Sequence, residues 1–376
     1  MFTAGYHTMI RSLLVLVLAF TSLFSRGQIT THDDSALHNY GIDLSLDLFS
    51  DTLLARGSSV SVGTAQQFAD FSADFDLARL SPHLASTHAF VSVHGNGSWS
   101  DNDAIQSPSG LLADPGIRVP EVWLSHSFGP AIQLRAGRID ANRDFAAIEN
   151  ATSFLNTAFC YNPTFATLPN YSDTHWGSEL FLKRKNLAAK FAIFAPAEDF
   201  ATLSMEEFGM EWKRDSWPGR IAFGMWQHHG GIMSVDASEE FGSRGFYLTA
   251  EQKVWQESRV GNKPSQLSAF INLGSAPPNF GSFTRHFSAG MNWSAPLTHR
   301  EDDSAGFAIA SGHLNSAEFE YSHETVYETY YQLQLGKSLS LTPDVQYVVH
   351  PGGMRSNGNM VLFGARLKLS FHTGNE

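Results

Sequence analysis

The feature that most constrains this fold is the alternation at its C-terminal end, where residues 360–371 read MVLFGARLKLSF. Val361, Phe363, Ala365, Leu367, Leu369 and Phe371 share one parity; Leu362, Gly364, Arg366, Lys368 and Ser370 share the other. Successive side chains of a strand point to opposite faces, so one face here is apolar and the other wet. Two preceding segments repeat the pattern. Leu339, Leu341, Pro343, Val345, Tyr347 and Val349 alternate with Ser340, Thr342, Asp344, Gln346 and His350, with Val348 out of step. Before them, Tyr327, Thr329, Tyr331, Leu333 and Leu335 alternate with Glu328, Tyr330, Gln332 and Gln334. Strands of about 9–12 residues with one lipid-compatible face suit a tilted crossing of an outer membrane.

The connections alternate as well. Gly336–Ser338 is a tight turn and Pro351–Asn359 a longer loop rich in turn residues. Short periplasmic turns and longer outer loops are the habit of such barrels, which puts the first inside and the second outside. Upstream, Glu121–Phe128 and Ala131–Gly137 flank a Gly129-Pro130 turn, with Ile132, Leu134 and Ala136 predicted to face lipid and Gln133 and Arg135 inward. Ser178–Phe194 reads as a second hairpin turning near Arg184–Asn186, and Glu211–Trp217 with Ile221–Gln227 as a third around Pro218-Gly219. No strand is placed in the N-terminal third.

The start of the chain is a targeting segment. Leu13–Phe24 is a short apolar run preceded by Arg11, and Ser25 and Gly27 supply small residues before a cut at Gln28. That pattern is a secretory signal peptide, too short to span. Met1 or Met9 serves as the start. The expected organisation is a signal peptide at 1–27, an N-terminal segment with the first strands at 28–84, a barrel body at 85–371 and an extension at 372–376. At roughly 20–22 residues per strand and connection, about 16 strands fit. The expected fold is all-β, a transmembrane antiparallel barrel.

Composition agrees. Charged residues are 16% of the chain, against roughly 25% in an average soluble protein. The 25 basic and 37 acidic residues leave −12, which argues against nucleic acid as a partner. The single Cys160 excludes a disulfide framework. His228 and His229 are adjacent and would point to opposite faces, so they do not form a metal pair. Glu239-Glu240 and Glu301–Asp303 read as solvated outer loops. No phosphate loop, nucleophile elbow or zinc-protease motif is present, and neither catalysis nor a cofactor is expected.

Several motifs carry a family resemblance. Glu121/Trp123, Leu134–Asp140, Phe154–Asn156, Glu328/Tyr331/Gln334, Leu341–Tyr347 and Pro351–Gly353 occur in order, with Asp103–Gln106 loosely preceding them. Together they resemble the carbohydrate-selective porins, the OprB family, over most of residues 85–371. The resemblance implies a single-chain barrel of 16 strands that admits mono- and disaccharides, glucose above all. Five residues follow Phe371, where barrels commonly end on the aromatic, and the chain is short for the family.

A pore needs a constriction, and selectivity follows its width, hydrogen-bonding groups and charge. Arg138, Asp140, Arg143, Asp144 and Glu149 form a dense mixed-charge cluster, followed by the uncharged NATSFLNTAFCYNPTF. A loop folded back from Gly137–Tyr171 would bring both near the narrowest point. The expected eyelet is Arg135, Arg138, Asp140, Arg143, Asp144 and Asn156. The expected wall is Glu121, Glu328, Gln332, Gln334, Asp344, Gln346, Arg366 and Lys368. Expected partners are small carbohydrates, outer-membrane lipid and the barrel-assembly machinery acting on the C-terminal strand, with the protein a monomer or trimer. A general or ion-preferring porin, a barrel enzyme and a soluble exported all-β protein remain the alternatives.

Overall fold

In the computed structural model, residues 34–57, 63–100, 103–111, 113–165, 173–195, 202–214, 217–233, 239–257, 263–278 and 281–373 are described. The signal peptide expected at 1–27 lies outside them. Seventeen strands form one sheet: β1 (Ile42–Arg56), β2 (Gly63–Asp76), β3 (Thr87–Ser100), β4 (Gly116–Arg118), β5 (Val122–Ser127), β6 (Ile132–Ile139), β7 (His175–Arg184), β8 (Leu187–Phe194), β9 (Thr202–Arg214), β10 (Trp217–Met233), β11 (Glu239–Glu257), β12 (Ser265–Ser275), β13 (Phe283–Ser294), β14 (Ser304–Leu314), β15 (His323–Gln334), β16 (Leu339–Val349) and β17 (Met360–His372). β4 is a three-residue piece beside β3, and β3 also pairs with β5, so the wall proper has 16 strands. Neighbours are antiparallel, and β1 pairs with both β2 and β17. The sheet therefore closes on itself and leaves no open edge, which a strand-built wall in lipid requires. Among the described residues no helix is long and apolar enough to cross a membrane.

The period-two pattern holds wherever it was read. Along β15 to β17, Tyr327, Tyr347, Phe363 and Leu367 are exposed outward, while Glu328, Asp344, Gln346 and Leu362 are buried inward. Ile132 and Leu134 face out, as expected. Val348 is inward and fully buried, because the barrel interior there is filled rather than wet. Pro343 has no N–H, and β15–β16 pairing lapses beside it, between Tyr330–Asp344 and Leu333–Leu341.

Three expectations change. The third hairpin turns before Pro218, since Trp217 pairs with Arg214 and Pro218 with Lys213; a proline is tolerated at the start of a strand. Glu239 and Glu240 begin β11 rather than lying in a loop. Glu301–Asp303 sit in the β13–β14 connection, on the same side as the chain termini, and Asp303 is buried against Arg300 at 2.8 Å. β17 also runs one residue past Phe371, and the Thr373 N–H still donates to the Leu44 carbonyl at 3.0 Å.

The N-terminal third supplies β1, β2 and β3, of 15, 14 and 14 residues. In β1 the plain alternation of polar and apolar residues is broken because Leu53 and Ala55 face inward and are buried.

Candidate functional site

Two connections on the side opposite the termini fold into the barrel. In the β3–β5 connection, the backbone N–H groups of Ile105 and Gln106 donate to the Glu324 carboxylate at 2.9 and 2.7 Å, as does that of Gly352 at 2.8 Å. Ser109 donates its hydroxyl to Asp51 at 2.5 Å, and Arg366 grips the same carboxylate at 2.8 and 2.7 Å. Asp51 on β1 and Arg366 on β17 are paired across the closing seam.

The longer β6–β7 connection leaves Ile139 and crosses the lumen. Ala146 donates its N–H to Glu207 at 3.0 Å, and Asn150 donates to Glu251 at 2.8 Å. Leu155 and Asn156 donate to Glu328 at 2.6 and 3.0 Å. The Asn156 amide then reaches Gln346 at 3.1 Å, while its oxygen caps the short helix Thr157–Cys160. Asn162 donates to Asn272 at 3.0 Å. Wall carboxylates thus accept main-chain N–H groups of the loop, and a hydrogen bond to a charged group contributes about 1.5–3 kcal/mol. Ile148, Phe154, Leu155 and Phe159 pack on inward Val326, Val348, Met360 and Leu362. Each such burial contributes about 1.5–3 kcal/mol, so apolar packing and carboxylate anchoring hold the loop about equally. Gly274 makes the seat for Asn162, whose side-chain oxygen lies 2.2 Å from where a Cβ would stand.

At the start of this loop the charges converge. Arg135 on β6 donates to Asp144 at 2.5 Å and to Glu179 of β7 at 2.9 Å, with its guanidinium 4.6 Å from the Trp123 ring centre. Arg143 meets Glu121 at 2.6 Å and keeps a 44% exposed side chain. Glu121 also accepts the Trp123 indole N–H at 3.2 Å. Asp140 lies beside Glu121, and burial, reinforced by that carboxylate, pushes it up to about 7. Lys190 and Arg220 converge on Glu207 at 2.9 and 2.6 Å, and Lys190 donates to the Asp144 carbonyl.

Of the expected eyelet, Arg135, Asp140, Arg143 and Asp144 are therefore together. Arg138 is set apart: it pairs with Val122 and Trp176, both exposed outward, and donates to Thr174 at 2.8 Å. Asn156 lies at the β15–β16 wall and is fully buried. Of the expected wall, Glu121, Glu328, Asp344 and Gln346 are buried under the inserted segments. Gln332 bonds Ser304 at 3.1 Å, and Gln334 bonds the Gly336 carbonyl at 2.7 Å. Arg366 is spent on Asp51, while Lys368 stays 35% exposed. Glu179, Glu207, Glu251 and Glu324 were not singled out from sequence, although each sits at the inward parity of its strand.

The inserted segments touch the wall from β6 round to β17 and the far end of β1. On β1 and β2, Asp51, Thr64 and Gln66 are buried, while Asp47 and Asp70 remain accessible at 22% and 28%.

A sequence profile of carbohydrate-selective porins, the OprB family, matches residues 61–240 and 225–371. The chain belongs to this family. This OprB-family porin superposes on OprB of Pseudomonas putida in its high-pH structure, with a TM-score of 0.81 at 16% identity, covering 90% of this chain and 96% of that one. The low-pH structure of the same protein gives 0.63 at 17%, covering 92% and 99%. An anion-selective porin from Comamonas acidovorans gives 0.56 at 10%, covering 88% and 99%. At these identities the structural likeness speaks for the fold, a 16-stranded outer-membrane barrel. No curated protein sequence matches the chain. Family and fold together point to a transport channel rather than an enzyme.

Proposed function

We propose that this porin is a diffusion channel for small neutral sugars of one or two rings, glucose among them. It would be exported by residues 1–27, delivered to the outer membrane through its C-terminal strand, and embedded in lipid. The supporting observation is the charge pairing at the start of the inserted loop. Arg135, Arg143, Lys190 and Arg220 stand against Asp144, Glu179, Glu121 and Glu207. Paired charges largely cancel one another's field, so they favour neither cations nor anions strongly. They still offer fixed donors and acceptors for sugar hydroxyls. Arg135, Asp140, Arg143 and Asp144 with Glu121 are the proposed constriction, and Lys368 part of the proposed wall.

The test is swelling of proteoliposomes in glucose, maltose and charged solutes of similar size. Neutral sugars should enter faster than charged solutes of equal radius. Equal rates at equal size would instead make it a general porin.

A further inference from the structure

The inserted segments reach the far half of β1 through Ser109 and Asp51, and what they leave accessible is the inner wall of β1 and β2 nearer the chain termini, around Asp47 and Asp70. That wall carries an aromatic pair. Phe49 of β1 and Phe68 of β2 are cross-strand partners, with ring centres 5.8 Å apart and planes tilted by 32°. Both face inward, since they share parity with Asp51 and Gln66, which are buried inside the barrel. Carboxylates flank the pair two residues away on each strand: Asp47 and Asp70 are themselves cross-strand partners. Lys368 of β17 approaches Asp47 at 3.6 Å and lies 5.1 Å from the Phe49 ring centre. His94 of β3 meets Asp70 at 3.2 Å and the edge of Phe68 at 4.9 Å.

We infer that Phe49 and Phe68, with Asp47, Asp70 and Lys368, form a sugar-binding platform on the part of the wall that the inserted segments leave accessible. The pair is held among polar groups of the wall: Arg366 and Lys368 stand 5.7 and 5.1 Å from the Phe49 ring centre, and His94 meets Phe68 edge-on. A pyranose ring supplies the complement. Its C–H face lies on the electron-rich ring faces. Its outward hydroxyls donate to the two carboxylates and accept from the ammonium group. Exposures of 22%, 28% and 35% for Asp47, Asp70 and Lys368 leave these groups within reach of a solute, whereas Glu328 and Gln346 on nearby β15 and β16 are buried. A few convergent polar groups over apolar surface is the usual make-up of a small-molecule site. The platform rests on the sugar-channel reading and extends it: a passing sugar would lean on β1–β2 while the charges at Arg143 and Glu121 face it.

The experiment is glucose-induced block of single-channel current in a planar bilayer, comparing the native porin with Phe49→Leu/Phe68→Leu and Asp47→Asn/Asp70→Asn. Leucine keeps the apolar volume and removes the ring faces, and heat-modifiable gel mobility verifies that each barrel is closed. The dissociation constant for glucose should rise about tenfold in each double variant, with salt conductance of the leucine variant within about twofold of native. A Phe49→Tyr/Phe68→Tyr variant should keep native block. Native-like block in the leucine variant overturns the platform while leaving the sugar channel standing. A native porin that no sugar blocks overturns both.

Discussion

The Glu328 carboxylate on β15 accepts the Leu155 backbone N–H at 2.6 Å, tying the wall to the crossing loop at its far point. Both groups are buried, so losing the carboxylate leaves the Leu155 N–H without its acceptor in a low-dielectric setting.

Glu328→Ala should therefore free the loop rather than open the barrel. Two N–H groups, those of Leu155 and Asn156, lose their acceptor, at about 1–3 kcal/mol each. Single-channel conductance and open-channel noise should both rise. A native trace from a correctly folded variant would remove the anchoring role.

Gly274→Ala should have a related effect from the opposite partner. An added Cβ would stand 2.2 Å from the Asn162 side-chain oxygen, so the residue-162 turn must lift off β12. Limited proteolysis of intact proteoliposomes should cut the loop faster in the variant, with barrel mobility on gels unchanged.

Arg135→Met strands Asp144 and Glu179 beside each other. Breaking a buried pair by removing one partner costs about 3–5 kcal/mol, whereas replacing both partners with apolar groups is often neutral. The temperature of the heat-modifiable transition should fall in Arg135→Met and recover substantially in Arg135→Met/Glu179→Met. An equal fall in both would show that packing on Trp123, not charge, is what Arg135 supplies.

Asp140 sets a pH dependence. Its carboxyl is raised from an ordinary 3.8 to about 7 by burial and by Glu121, so the folded protein holds a proton there that the unfolded chain releases. Between about pH 4 and pH 7 its contribution to stability falls as pH rises. At the site itself, ionisation adds one negative charge beside Arg143 and Glu121. Reversal potentials in a salt gradient should move toward cation preference from pH 6 to pH 8. Asp140→Asn should flatten that change, and a variant titrating like native would disprove the assignment.

Much of the architecture is written locally. Val361 to Phe371 alternate, and the structure places their faces as the alternation requires, because side-chain direction along a strand depends only on period two. The same local rule put Arg135 inward and Leu134 outward, and the turn residues at 184–186 where the chain reverses, with Lys185 at φ 55°. The rule faltered where the interior is not water. Val348, Leu53 and Ala55 are inward and apolar because a segment distant in sequence lies on them.

What tertiary structure alone decided is which inward polar residues meet solute. Glu328 and Lys368 are both polar and inward on neighbouring parts of the wall, yet Glu328 is 1% exposed and the Lys368 side chain 35%. Parity cannot separate them. Their difference comes from the path of residues 140–165, which lie over Glu328 on β15 and leave Lys368 of β17 accessible. That path is set by contacts spanning as many as 190 residues, as between Asn156 and Gln346. The sequence by itself determined a closed barrel with one wet face; the fold of one long connection decided which part of that face is a channel.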